Sequence, residues 1–225
     1  MIETNALFKV TYGLYLVCSG DKIKGNGYVC NTVMQVSAEP VLFTICCNKN
    51  NYTAELIQQH GAFSVSVLEQ DCSADLIGVF GYKSGRDSDK MKGKDIRWGD
   101  TGVPIVLNES IAFLECKVTQ TIDAGTHLMF IGETVQAEVL DNSKDPLTYA
   151  YYQQVRKGVS PKNAPTYIKP EVLEETSSAQ DLKIYRCPVC GYDFEDTENQ
   201  TFKDLPDDWT CPVCNAPKDA FEKVS

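Results

Sequence analysis

Two Cys-x-x-Cys pairs near the C-terminal end constrain the fold of this chain more than any other sequence feature. Cys187 and Cys190 form the first pair, Cys211 and Cys214 form the second, and twenty residues separate the pairs. Two residues between thiolates let one tight turn present both sulfurs to one ion, and two facing turns complete a tetrahedral site that suits iron or zinc. The pattern therefore predicts a four-thiolate metal site.

The residues that follow each pair support this prediction. Gly191 and Asn215 are residue types that tolerate a positive φ, so each turn can direct backbone N–H groups at the sulfurs. A segment of about forty residues buries little surface, so we expect the metal to stabilise its fold. The segment is also rich in aromatic residues, which we expect to pack beside the metal: Tyr185, Tyr192, Phe194, Phe202, Trp209 and Phe221. Spacing alone leaves iron and zinc open, since a zinc ribbon shares it.

The segment from Tyr185 to Glu222 resembles the rubredoxin family in three pieces, YRCPVCGY, FKDLPDDW and CPVCNAPK. This resemblance implies that Cys187, Cys190, Cys211 and Cys214 bind one iron ion that cycles between the ferric and ferrous states. Two departures stand out: the loop between the pairs is shorter than in the common form of the family, and Asn215 replaces a usual glycine. A structural zinc ribbon that docks a partner remains the alternative.

Charge and cysteine usage separate the tail from the rest of the chain. The protein has 225 residues and a net charge of -10, which argues against a nucleic-acid binder or a membrane-surface protein. Residues 171–225 contain 13 acidic and 5 basic residues, against 18 and 16 in residues 1–170. The start shows no secretory pattern and no run of eighteen apolar residues follows, so a cytoplasmic protein is expected. The six scattered cysteines are then expected to be reduced core thiols.

The hydrophobic pattern predicts a mainly β fold. Short runs rich in β-branched and aromatic residues recur between residues 7 and 139, which favours a β-barrel or sandwich with short helices at 51–60, 73–80 and 147–158. The stretch 170–180 is polar and acidic, as linkers are. We therefore predict a large domain over 1–170, an acidic linker over 171–180 and a small metal domain over 181–225.

Two stretches of the large domain could bind a cofactor. The run 48–53 leaves a buried strand and enters a helix, where free N–H groups favour an anion. Polar side chains also punctuate an apolar strand, where they could bond to the rim of a flat heterocycle: Asn31, Thr32, Gln35 and Ser37. The alternative to a cofactor site is an edge strand with one solvent-exposed face, followed by an ordinary Asn helix cap. No G-x-G-x-x-G motif or Walker A motif is present.

Four segments of residues 1–170 resemble the flavin-reductase-like FMN-binding proteins, which have a split β-barrel: CNTVMQVSAEPVLFTICCNKNNYTAELI, FGYKSGRDSDK, AGTHLMFIGE and YYQQVRKGVSPKNAPTY. The resemblance implies that FMN is bound, with the residues of the polar strand along its ring. It also implies a phosphate site formed by Asn48, Asn51, Tyr52 and Thr53. Such barrels are commonly dimers with the flavin near the interface, so a homodimer or higher homo-oligomer is implied.

Two further features have competing interpretations. Residues 83–97 contain six basic and three acidic residues, which is typical of a solvated loop. Alternatively, Ser84 and Arg86 could touch an anionic cofactor or nicotinamide nucleotide, or the loop could receive the acidic tail. His127 could be a packed strand residue or a catalytic contact to nicotinamide or flavin.

Together the two resemblances predict an enzyme that passes electrons from NAD(P)H through FMN to a rubredoxin-type iron and on to a partner. In the family type that joins both domains, that partner is a diiron flavoprotein that reduces oxygen or nitric oxide. One alternative is an electron carrier without its own nicotinamide site. The other is an FMN protein with a structural zinc ribbon.

Overall fold

The computed structural model describes residues 4–7, 9–167, 183–197 and 200–224. The predicted acidic linker over 171–180 lies outside these residues. The large N-terminal module is mainly β, as predicted. Its strands are β1 (Tyr15–Ser19), β2 (Asn26–Cys30), β3 (Val33–Ala38), β4 (Val41–Asn48), β5 (Ala62–Leu68), β6 (Ile96–Trp98), β7 (Pro104–Val106), β8 (Ser110–Ala124) and β9 (His127–Val139). Its helices are α1 (Thr4–Leu7), α2 (Tyr52–His60), α3 (Ala74–Tyr82) and α4 (Tyr149–Gln154).

Seven of these strands form one antiparallel sheet in the order β2-β1-β5-β8-β9-β4-β3. The edge strands β2 and β3 are joined by only Asn31 and Thr32, so both edges of the curled sheet approach one another at this connection. They do not pair there; instead the Tyr28 hydroxyl of β2 donates to the Cys46 carbonyl of β4 at 2.8 Å. The barrel is split at this seam, as the family resemblance implies.

The helices begin and end at recognisable capping residues. Asn51 caps α2, where its side chain accepts the Thr53 N–H, and Gly61 ends the helix at φ 65°. Ser73 caps α3 in the same way by accepting the Leu76 N–H. The first two predicted helices agree with the structure to within two residues. The third helix, α4, is shorter than the predicted 147–158, because it begins at Tyr149 and ends at Gln154.

The C-terminal module is a small metal-knuckle fold. Its three short strands, β10 (Ile184–Arg186), β11 (Asp193–Glu195) and β12 (Glu222–Lys223), form a sheet in the order β11-β10-β12. Six aromatic side chains cluster beside it, with Phe202 stacked on Tyr185 at a centroid distance of 4.3 Å and edge-on to Trp209 at 5.9 Å. This cluster matches the predicted aromatic packing.

The two modules share one hydrophobic cluster. Leu76 and Ile77 of α3 and Tyr152 of α4 belong to the same buried cluster as Cys211 and Val213 of the C-terminal module. A separate cluster fills the barrel interior around Ile45, Phe63 and Phe130. The C-terminal module therefore packs on the helical side of the barrel. No helix among the described residues is long and apolar enough to cross a membrane.

The scattered cysteines are unpaired thiols, as expected. Cys18, Cys47 and Cys116 are fully buried, and Cys46 is half-buried. Burial raises the pKa of the Cys18 thiol to about 12 and that of Cys116 to about 11. These thiols therefore stay protonated and unreactive in the folded protein.

Candidate metal centre and flavin cavity

The four cysteine sulfurs of the C-terminal module converge on one point. All four Sγ atoms lie within 4.8 Å of one another, with 3.7 Å between Cys187 and Cys214 and 3.6 Å between Cys190 and Cys211. Metal–sulfur bonds of about 2.3 Å at tetrahedral angles require sulfurs about 3.8 Å apart. The sulfurs are therefore close enough for one tetrahedral metal ion to bind all four.

Backbone geometry explains how the cysteines are held. Gly191 lies at φ 79° and Asn215 at φ 59°, so both predicted left-handed positions are confirmed. The Gly191 N–H donates to the Cys187 carbonyl at 2.8 Å, and the Asn215 N–H donates to the Cys211 carbonyl at 2.9 Å. Each Cys-x-x-Cys turn thus closes in the same way.

The thiol pKa values show why this cluster needs a cation. Hydrogen bonds from Cys190 and Cys211 lower the pKa of the Cys214 thiol. The same contacts raise the pKa of Cys190, because sulfurs that share protons cannot all ionise together. Backbone N–H groups of Tyr192 and Ala216 bond to Cys190 and Cys214. Four thiolates therefore require a bound metal ion to balance their charge.

A cavity of about 200 Å³ opens at the seam of the split barrel. Six of the predicted site residues line it: Asn31, Asn48, Asn51, Tyr52, Ser84 and His127. One end lies at the N-terminus of α2, and the other is walled by tyrosines of α3 and α4. Amide and cationic groups at one end and aromatic rings at the other suit a ligand with a flat ring and an anionic tail.

The α2 end of the cavity is built by local turns. Asn48 Oδ1 accepts the Asn50 N–H at 3.0 Å, which tightens the turn into the helix. The N–H groups of Asn51 and Ala54 bond to backbone carbonyls and that of Thr53 bonds to the Asn51 side chain, so this turn places the positive end of α2 at the cavity. The anion site expected for 48–53 stays a prediction.

Two predicted residues hold a covering segment over the cavity. Asn31 Nδ2 donates to Thr166 Oγ1 at 3.0 Å, and His127 Nε2 lies 3.1 Å from the Asn163 carbonyl. Thr126 Oγ1 lies 2.8 Å from His127 Nδ1. Both ring nitrogens of the buried imidazole therefore have protein partners, with Nε2–H donating to the carbonyl and Nδ1 accepting from the hydroxyl. Segment 159–166 lies across the cavity as a result.

The remaining predicted residues lie outside the lining. Thr32 and Ser37 are half-buried and Gln35 is exposed on the edge side of the sheet, where its Nε2 donates to the Ser37 carbonyl at 3.2 Å. Thr53 is fully buried and accepts from Asn26 Nδ2 at 3.1 Å. A cofactor contact by these residues stays a prediction.

The arginines of the basic segment 83–97 form ion pairs with residues of the large module. Arg86 pairs with Glu55 and lies 5.0 Å from the Tyr52 ring centroid, beside the cavity wall. Arg97 pairs with Glu138 at 2.5 Å. Among the described residues these ion pairs stay within the large module, and reception of the acidic tail by this segment stays a prediction.

Sequence reasoning missed a buried lysine and three tyrosines of the cavity. Lys90 is 4% exposed and donates through Nζ to the Gly27 and Phe80 carbonyls at 2.9 and 3.2 Å. Burial lowers its pKa to about 8. The tyrosines share their cavity lining: Tyr82, Tyr149 and Tyr152. The sequence does not single out Lys90, because a lysine within a charged segment is usually exposed to solvent. It does not single out the tyrosines either, because aromatic residues at helical spacing usually belong to the hydrophobic core.

Comparison with known proteins agrees with this architecture. The profile described as "Flavin reductase like domain" matches residues 7–159, and the rubredoxin profile matches residues 184–221. The high molecular weight rubredoxin of Moorella thermoacetica is 40% identical, over 99% of this chain and 100% of that protein. A ferric-chelate reductase (NAD(P)H) of Archaeoglobus fulgidus is 39% identical, over 75% of this chain and 99% of that protein.

A solved structure supports the fold of the large module. Flavoredoxin from Methanosarcina acetivorans superimposes with a TM-score of 0.57 at 27% identity, over 62% of this chain and 75% of that chain. Together with the four-sulfur cluster and the seam cavity, these matches make the chain an oxidoreductase with a flavin site, a nicotinamide substrate and a four-cysteine iron site. The chain belongs to the flavin-reductase-like family and carries a rubredoxin domain at its C-terminal end.

Proposed function

We propose that the chain oxidises NAD(P)H with FMN in the seam cavity, passes the electrons to its own iron centre and delivers them to a partner protein. One observation carries this proposal: the four-cysteine cluster packs against the same helices that wall the cavity. When bound, the flavin supplies two-electron chemistry with the nicotinamide, and the iron supplies one-electron chemistry. The chain would convert a hydride into single electrons.

The cavity residues would orient the cofactor. At the α2 end, Asn48, Asn51 and Tyr52 would bind the phosphate, helped by the positive end of the helix dipole. Ser84 lines the same cavity. Arg86 is paired with Glu55 and would act there through its positive charge. The phosphate end would then fix the position of the flavin ring along the seam.

Asn31 and His127 would act by holding segment 159–166 over the ring. Both His127 nitrogens already have partners, so the imidazole positions the segment rather than exchanging protons with substrate. The covering segment excludes water from the reacting face, which protects a reduced flavin from side reactions. The nicotinamide would enter beside it.

The cysteine cluster would tune the iron. N–H groups from Tyr192 and Ala216 spread the thiolate charge, which raises the reduction potential of such sites. The stacked aromatic rings beside it keep water from one side of the centre. Iron rather than zinc is the metal that gives the centre a redox role.

The family resemblance also suggests a partner protein and an oligomeric state for the chain. The partner would be a diiron flavoprotein that reduces oxygen or nitric oxide. It would bind to the acidic C-terminal module. A homodimer would form through the barrel, as in its family. The reduced thiols favour the cytoplasm.

Deletion of residues 171–225 tests the direction of electron flow. The truncated chain should still reduce its flavin with nicotinamide and should lose electron delivery to the diiron flavoprotein. Undiminished delivery by the truncated chain would contradict the relay.

Reduction of ferric chelates is a second candidate, because the Archaeoglobus relative with that name matches the large module over nearly its whole length. Ferric citrate reduction by the full chain and by the truncated chain should then be equal. A loss on truncation would assign the activity to the iron centre instead.

A further inference from the structure

The loop of the second cysteine pair sits directly on helix α3. A Cβ atom built on Gly78 would lie 2.9 Å from the Cys214 carbonyl oxygen and 3.4 Å from its Cα. These are backbone atoms, which cannot rotate away as the end of a flexible side chain can. Only glycine at position 78 therefore allows this approach.

The contact is part of a continuous buried surface. Gly78 is buried in the middle of α3, and its neighbours Leu76 and Ile77 share a cluster with Val213, which is 1% exposed. Removal of this valine side chain from water also favours the contact. The close backbone contact at Gly78 and the shared hydrophobic cluster therefore both hold the Cys211–Cys214 loop against α3.

A single wall separates the metal module from the seam cavity. Tyr82 and Val159 line the seam cavity on one side and, on the other, a second cavity that Cys187 and Cys190 also line. The Tyr82 hydroxyl donates to the Val159 carbonyl at 2.7 Å and lies 3.1 Å from the Tyr152 hydroxyl. These bonds hold the aromatic wall in place.

We propose that Gly78 is a positioning residue for internal electron transfer: it seats the Cys211–Cys214 loop on α3 so that the iron is reduced within the same chain, across the wall of Tyr82 and Tyr152. This inference rests on the proposed function, since it assigns a route to the relay. Each transfer moves one electron from the two-electron-reduced flavin to ferric iron, which becomes ferrous. The external acceptor then reoxidises the iron before the second electron follows, and the flavin protons pass to water.

The test uses the full chain loaded with FMN and iron. Gly78→Leu places a side chain where the Cys214 backbone lies, and Gly78→Ala adds the smallest obstruction. Alanine is a better helix former than glycine, so α3 itself should not be weakened. The matched control is Gly81→Ala, whose Cβ would meet Val29 Cγ2 at an ordinary 3.5 Å and does not touch the metal loop.

The first readout is structural and needs no nicotinamide. Hydrogen exchange of 77–82 and 158–163 should become faster in Gly78→Leu, and small-angle scattering should show a larger radius of gyration, with Gly78→Ala intermediate and Gly81→Ala unchanged. Intact ferric-thiolate and flavin spectra show that both modules remain folded. Unchanged exchange and radius in Gly78→Leu would overturn the proposed seat.

The second readout is the rate of iron reduction after the flavin is reduced in a stopped-flow mixer. Undocking moves the iron away from the flavin, and electron transfer slows steeply as the donor–acceptor distance grows, so Gly78→Leu should slow the iron phase by about tenfold or more and leave the flavin phase unchanged. The wild-type iron phase should not depend on protein concentration. An undocked variant with a wild-type iron phase would overturn the assigned route, and a missing flavin phase in every protein would instead refute the reductase function.

Discussion

At the scale of single residues, Lys90 is a charged side chain that is buried beside the seam cavity. Its ammonium group has two carbonyl partners and little water, and burial lowers its pKa from 10.5 to about 8. The folded protein therefore loses this proton before the unfolded chain does. Between about pH 8 and 10.5 the unfolded state binds more protons, so this lysine makes stability rise with pH.

Substitution of Lys90 by methionine should remove this pH dependence. Relative to Lys90→Met, the wild type should gain up to about 3 kcal/mol of unfolding free energy between pH 7.5 and 10.5. Denaturant unfolding of both proteins at several pH values measures the difference. A difference that is flat across this range would show that the ammonium group is not buried in the folded protein.

Paired variants can separate the two roles that we propose for Asn31. Asn31→Ala removes both the bond to Thr166 and any contact with the flavin. Thr166→Val removes that bond together with the bonds of Thr166 Oγ1 to Tyr149 and Ser160, but it leaves the Asn31 amide in place. Loss of one such hydrogen bond costs about 1 kcal/mol, or about fivefold in affinity. We expect FMN binding, measured by flavin fluorescence, to weaken more in Asn31→Ala than in Thr166→Val. Equal weakening would limit Asn31 to holding the covering segment.

At the scale of elements, the N-terminus of α2 is expected to recognise the cofactor phosphate. Asn51→Ala should weaken binding of FMN by about tenfold and leave riboflavin binding unchanged, because only FMN places a charge at the helix end. Ser73→Ala removes the equivalent cap of α3 and controls for the general cost of losing a cap. An equal loss for FMN and riboflavin would place the phosphate elsewhere.

Elements with strong local signals could be read from the sequence. The Asn51 cap, the Gly61 stop and the positive φ at Asn215 follow from residue type alone, because few residues suit those backbone positions. The cysteine spacing predicted the metal cluster for the same reason. Segment 159–166 was missed as a cover, since its contacts to Asn31 and His127 join residues more than thirty positions apart.

At the scale of the whole molecule, the sequence predicted two modules but not their contact. A linker composition says that two modules stay near each other, and it does not say which faces meet. The seat on Gly78 depends on the absence of a side chain within an apolar helix, a pattern that also occurs wherever helices pack closely. Only the three-dimensional structure places Tyr82 between the cavity and the cysteines.

The relay itself is tested most directly by an anaerobic titration of the purified full chain with NADH and then NADPH. The flavin absorption and the ferric-thiolate absorption are followed together. We expect at least one nucleotide to bleach both bands, with the iron band following the flavin band. Bleaching of the flavin alone, or of neither band, would show that electrons do not pass from nicotinamide through the flavin to the iron of this chain.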